Sequence, residues 1–372
     1  TNYHNCSIFV GPAWTVQASA ISELAGIIKR PLVSGGASGL ALSEPNSNYF
    51  TRVIPNDIGL LESFVALIMK YDMQKVNVVC VNDEYGRTVT EAFIRRADGL
   101  FTIELIRCYD VESSNETMSG ILDDIQMSVT GVTFLSMISI QTPKFLNMAG
   151  KRGMHDNHLW LSPHATQVFD QLDPVPTGAW GVAYGEELRE GDPLAQRYIA
   201  KDTKPHHDTL CTGCNDYDEL TYWGSYAYDA VLLAANALVA YKSQHSKDAK
   251  NASGYSGQTL LHTVRNTFVL NGHTGSIAMD TNGDRAGARI PLFYLTPTSV
   301  EEFGVYDSEL SVDKPPMWPG GGFTPLDLIR SPPKDNNYID NIRWFGWTLA
   351  GLVILFSLFF IGWTYKERKH VV

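Results

Sequence analysis

Cysteine is scarce in this chain: five in 372 residues, an odd number. Hydrophobic cores rather than a disulfide framework must therefore carry the fold, and one cysteine has no partner within the sequence. A basic surplus is also missing. Lys and Arg total 29 against 40 Asp and Glu, a formal charge of -11, which disfavours a nucleic-acid partner. No Gly-x-Ser-x-Gly elbow, P-loop or His-Glu-x-x-His occurs, so nothing points to an enzyme or to a bound cofactor. No repeat recurs at a fixed period.

What the chain does have is one long uncharged apolar run, Trp344 to Tyr365. At about 1.5 Å of rise per residue it reaches about 33 Å, enough to cross a hydrocarbon core. Trp344 and Trp347 at one end, and Trp363 and Tyr365 at the other, suit the headgroup level. Lys366, Arg368 and Lys369 follow at once, which predicts a cytoplasmic tail over 366–372 and an extracellular N-terminal bulk. Sequons at Asn5, Asn115 and Asn251 agree with export and are candidate glycosylation sites. An exported domain needs a leader, and the start shows neither a Met nor a signal-like stretch, so a mature form or a fragment is expected.

Along the soluble part, apolar strand-like runs alternate with amphipathic segments. CSIFVGP, PLVSG, VNVVCVND, LFTIELIRCYD, VTFLSMIS and HLWLSP read as strands, with helices between them. Such spacing predicts βαβ units and parallel sheets covered on both faces, a doubly wound α/β architecture. Tyr222 to Tyr241 reads as a deeply buried helix; Tyr226, Asp229 and Asn236 argue against a second span. A hairpin is expected around Asn282-Gly283, and Pro- and Gly-rich residues 301–343 read as an irregular juxtamembrane linker.

Several of these segments resemble, in order, the receptor ligand-binding region family of type I periplasmic-binding-protein fold, which includes class C G-protein-coupled receptors and natriuretic-peptide-type receptors. The carrying residues are Val10-Gly11-Pro12 with Trp14-Thr15, Ala37-Ser38 with Leu42-Ser43-Glu44, and Tyr49 through Arg52-Val53-Ile54-Pro55-Asn56-Asp57. Asn82-Asp83-Glu84-Tyr85-Gly86, Ala149 through Gly153-Met154 to Leu159-Trp160-Leu161, Tyr228-Asp229-Ala230, and Gly272-x-x-Gly275 with Asp280 to Arg285 complete the set. The resemblance implies a two-lobed ectodomain over 1–300, with lobe 1 at 1–56 and 186–274 and lobe 2 at 57–185 and 275–300. The linker at 301–343, a transmembrane helix at 344–365 and the basic tail would follow. The family's first βα unit has no counterpart here, so a truncated product is expected, with Cys6 an orphan whose partner lay upstream.

By position, the resemblance assigns ligand contacts to Thr15 and Ser38 at lobe 1 strand ends, where helix N-terminal N–H groups suit an anion. Both residues also read as caps or turn residues. Tyr85 would cover the ligand from lobe 2. Asp57 falls at the hinge, where it also reads as the N-cap of the next helix. Trp14 replaces a small residue and would crowd the cleft. His164 stands near where amino-acid receptors often carry a carboxylate, so an α-amino-acid ligand is doubtful, and another small ligand stays open. His206, His207, Cys211 and Cys214 have zinc-like spacing, but in an oxidising compartment disulfides are the commoner outcome, and no metal is assigned. Cys80 and Cys108 read either as a bridge or as two buried thiols.

No cysteine follows Cys214, so the cysteine-rich spacer of glutamate- and taste-type receptors is missing. Together with the basic tail, this makes the chain most similar to the GABA type B branch. The expectation is a plasma-membrane receptor that binds a small extracellular ligand and dimerises through lobe 1. The alternatives are a natriuretic-type or cyclase-linked ectodomain, or a structural ectodomain that senses nothing.

Overall fold

The computed structural model describes residues 6–43, 49–182, 222–245, 255, 257–287 and 289–321. The apolar run at 344–365, the zinc-like cluster, Asn5 and Asn251 lie outside them. Among the described residues no helix is long and apolar enough to cross a membrane.

Three short strands near the N-terminus, β1 (Phe9–Val10), β2 (Leu32–Ser34) and β3 (Phe50–Arg52), pair in parallel in that order. Helix α1 (Thr15–Ile28) joins the first two. It buries Ala18, Ser22 and Ala25, spaced four and three apart on one face, and ends where Lys29 turns left-handed at φ 54°. Its opposite face leaves Val16, Leu24, Ile27 and Ile28 exposed.

The chain then passes through 53–56 into α2 (Asp57–Lys70) and an alternating series: β4 (Lys75–Val81), α3 (Glu84–Ala97), β5 (Thr102–Tyr109), α4 (Asn115–Met127), β6 (Val132–Ser136), α5 (Thr142–Lys151), β7 (Leu159–Ser162) and β8 (Trp180–Val182). These five strands are parallel neighbours in the order β8-β7-β6-β4-β5. Buried Leu60, Leu61, Phe64, Leu67 and Ile68 give α2 a continuous apolar stripe against one face of this sheet. The other face is covered by α4 and α5 through Met118, Leu122, Phe145 and Leu146. Cys80 and Cys108 stand opposite each other on β4 and β5, 4.4 Å apart at Cα, and form a disulfide; of the two sequence readings, the structure takes the bridge.

After 222 the chain forms α6 (Tyr222–Gln244), α7 (Gly257–Asn266) and the antiparallel pair β9 (Val269–Gly272) and β10 (Gly275–Ile277). Helix α6 packs on β2 and buries Tyr226, Ala230, Leu233 and Ala237. It is not buried all round, as its composition suggested: Tyr228, Val231 and Val239 are exposed among the described residues. Asp229, fully buried, accepts from the backbone N–H groups of His273 and Thr274 and from the Thr274 hydroxyl, at 2.6–2.8 Å. It thereby fixes the β9–β10 turn.

Two expectations need correction. The Asn282-Gly283 turn exists, with Gly283 at φ 91°, but it closes only a single bridge between Met279 and Arg285. The apolar runs on either side of it go to different sheets: β10 joins β9, whereas β11 (Ile290–Leu295) joins β8. Nor is 301–343 irregular from its start. Strands β12 (Val300–Asp307) and β13 (Glu309–Val312) extend the large sheet antiparallel to eight strands, so that sheet is mixed. Trp318 then folds back with 2% exposure, its ring centroid 4.7 Å from Trp180 and 5.2 Å from Tyr71.

Candidate ligand cleft

The C-terminal ends of the parallel strands are where open α/β sheets place ligands, because helix N-termini and short loops converge there. In this chain the loop after β1 opens α1, and the loop after β4 opens α3. The two loops face each other across a cleft with a cavity volume of about 150 Å³. Five of the six sequence-nominated residues line it. Trp14, Thr15 and Ser38 lie on the three-stranded side, and Tyr85 and His164 on the eight-stranded side.

The three-stranded wall is held from behind. Arg52, at the end of β3 and completely buried, donates to the carbonyls of Ala37 (3.0 Å) and Gly39 (2.8 Å), which bracket Ser38. The Thr15 hydroxyl accepts from the Gly39 N–H at 3.1 Å and ties this loop to the first turn of α1. That turn carries no acidic residue, and Trp14 at the N-cap provides no side-chain bond to it. Trp14 is 52% exposed and lines the cleft.

On the other wall, His164 is buried and has polar partners at both ring nitrogens. Nδ1 lies 3.0 Å from Gln167 Oε1, and Nε2 lies 3.1 Å from the Tyr85 hydroxyl. With Oε1 as acceptor, Nδ1 carries the proton and Nε2 accepts from Tyr85. Burial lowers the His164 pKa, outweighing the Gln167 hydrogen bond and the nearby Asp57 carboxylate, so the ring is neutral at physiological pH. Hence the imidazole orients Tyr85 and contributes no formal charge.

Asp57 does not line the cleft, and it is not the N-cap that its position suggested. It is the first residue of α2 and is buried; the cap is Asn56, whose side chain accepts from the Ile58 N–H at 3.1 Å. The sequence reading was one residue out because both residues suit a cap and both precede the apolar stripe. It also passed over Glu84, Ile138 and Ser139, which line the eight-stranded wall. Ile138 and Ser139 follow β6, and the strand-end rule alone would have nominated them. No group of His, Cys, Asp and Glu suited to a metal occurs among the described residues.

Residues 2–298 match the family described as the receptor family ligand binding region. The chain is 24% identical over 315 residues to the metabotropic glutamate receptor-like protein E of Dictyostelium discoideum, covering 79% of this chain and 36% of that protein. It is 24% identical over 310 residues to glutamate receptor 3.1 of Oryza sativa subsp. japonica, covering 74% of this chain and 32% of that one. Over 307 residues it is 24% identical to human taste receptor type 1 member 1, covering 74% and 36%. The chain thus spans about a third of the length of these relatives. With a match over most of its length, this chain belongs to the receptor family ligand-binding region family.

Proposed function

We propose that this chain is the ligand-binding ectodomain of a cell-surface receptor, holding a small extracellular ligand between its two sheets. The observation that carries the reading is convergence: five residues from four separate stretches of the sequence meet on one cleft, from both sides. A ligand touching both walls binds the closed arrangement better than the open one, and closure is then the signal. The cavity is smaller than pockets for drug-sized ligands, roughly 300–1,000 Å³, which suits a ligand of few heavy atoms. No catalytic role is proposed for any residue.

The finer reading places the chain in a class C G-protein-coupled receptor of GABA type B-like kind, anchored in the plasma membrane by 344–365. The missing cysteines beyond Cys214 and the basic tail support it. Dimerisation would use lobe 1, where the exposed apolar face of α1 needs cover. Asn115, exposed at the first position of α4, is available for a glycan.

The test is thermal denaturation of the full chain, purified in mild detergent, against amino acids, amines, organic acids and short peptides. At least one compound should raise Tm, and Tyr85→Ala should abolish that shift while leaving the ligand-free Tm within a few degrees. No shift across the whole panel would overturn sensing and favour a structural ectodomain.

A further inference from the structure

The charges on the cleft are lopsided, and this bears on the ligand's chemical class. Among the described residues that line the cleft, the formally charged ones are Asp83 and Glu84, and none is Lys or Arg. Asp83 is committed to the fold, since its carboxylate caps α3 by accepting from the Gly86 N–H at 2.6 Å. Glu84 has no ion pair among the described residues and is only half-buried. A third carboxylate, Asp57, lies behind His164. Arg52, behind the opposite wall, is already paired with Asp284 at 2.7 Å.

The remaining polar surface has the same character. Tyr85, 3.1 Å from His164 Nε2 through its hydroxyl, brings an aromatic ring to the same wall. Trp14 adds a second aromatic surface, and such faces attract cations. Two features oppose this. The uncapped N-terminus of α1 favours an anion, and that of α3 partly offsets its own carboxylates, but each is equivalent to about half a charge and is weakened by solvent.

Resting on the cleft reading above, we infer that the ligand is a small organic cation, an amine or alkylated ammonium with a short apolar body. Glu84 is its counter-ion, and Trp14 and Tyr85 are its aromatic walls.

Three compounds sharing one branched body separate the possibilities: isoamylamine, 4-methylpentanoate and leucine, which carry the ammonium, the carboxylate or both. In calorimetric titrations of the full chain, isoamylamine should bind at least as well as leucine, and 4-methylpentanoate should not bind. Glu84→Gln should weaken isoamylamine roughly tenfold or more, the scale of a lost charge-assisted contact, without moving Tm by more than a few degrees. Binding of 4-methylpentanoate or leucine without isoamylamine overturns the inference and leaves the cleft reading standing. Unchanged isoamylamine affinity in Glu84→Gln removes Glu84 from the role. Silence toward all three also overturns the inference, and the wider panel then decides the cleft reading separately. The first arm uses the unaltered chain, so it stands even if the variant fails to fold.

Discussion

Two residues near the cores carry consequences out of proportion to their size. His155 is buried and accepts at Nδ1 from the Trp160 indole N–H at 3.1 Å. Burial pulls its pKa down from 6.5 to about 4, against smaller upward pulls from the Pro174 backbone, Asp156 and the Leu146 backbone. The folded state therefore holds this ring neutral while the unfolded chain takes up a proton as pH falls through 6.5. The stabilisation is whole above pH 6.5 and erodes between there and about 4, by about 1.4 kcal/mol per pH unit and of order 3 kcal/mol in all. Urea midpoints measured at pH 7 and pH 4.5 should differ less in His155→Gln than in the unaltered chain; equal differences would refute this assignment. Gly39 is the second residue. A Cβ there would stand 2.3 Å from Thr15 Cγ2, where no real contact lies. Gly39→Ala should cost about 1–3 kcal/mol as overpacking and should weaken any cleft ligand, because the loop carrying Ser38 must move. Adding Thr15→Ser, which removes that methyl group, should recover part of both losses.

Between elements, a polar clasp joins two passages of the chain that separate the sheets. Arg52 ends β3, and Asp284 sits in the turn before β11. They pair at 2.7 Å, and Ser43 and Asn56 donate to the same carboxylate at 2.6 and 2.9 Å. Burial alone would raise the Asp284 pKa, but Arg52 and these hydrogen bonds outweigh it and hold it below the ordinary carboxylate range. Its contribution is therefore present at neutral pH and disappears only as acid protonates the group. Asp284→Asn leaves Arg52 buried and uncompensated, and should destabilise by about 3–5 kcal/mol. Because Arg52 also holds the Ala37 and Gly39 carbonyls, Asp284→Asn and Gly39→Ala should be non-additive in a double-mutant cycle. Additivity within about 0.5 kcal/mol would separate clasp from cleft.

The alternation of elements was legible because buried parallel strands and amphipathic helices differ in period, as VNVVCVND beside the α3 segment illustrates. Much of the cleft lining was legible through the resemblance, which carried Trp14, Thr15, Ser38 and Tyr85 over by position, and the structure brings these four to one cavity. Glu84 was not. A carboxylate beside a helix start reads as a dipole partner, and only the opposing wall reveals what else it faces. Strands β12 and β13 were missed for a different reason. VEEFGVYD does not alternate, its buried positions Phe303 and Gly304 being adjacent, and prolines crowd the sequence from Pro315 onward. Nor can local sequence tell that β10 and β11, flanking one turn, pair with different partners.

At the scale of the molecule, the two sheets do not have wholly separate interiors. One cluster of buried side chains runs from Val33, Tyr226 and Leu233 beside the small sheet to Leu60, Phe64 and Phe303 on the large one. Val53 and Ile54, in the first passage between the sheets, belong to it and are completely inaccessible. Ile277 and Ile290, on either side of the later passage, belong to it as well. A structure that closes by pivoting needs its two halves to move, yet here the pivot itself is packed core. The proposed closure is therefore compatible with this packing only as a small rotation, with the clasp as its polar counterpart. The same continuity couples the stabilities of the two halves. Calorimetry on the full chain should show residues 6–321 melting in one transition, with calorimetric and van't Hoff enthalpies in agreement. Ile54→Ala removes buried methyl groups at the junction and should cost about 2–5 kcal/mol. If Ile54 is the link, that variant should broaden or split the single transition. A core substitution of like size away from the junction, Leu122→Ala under α4, should only shift it to lower temperature. Two resolved transitions in the unaltered chain would show instead that the halves fold independently.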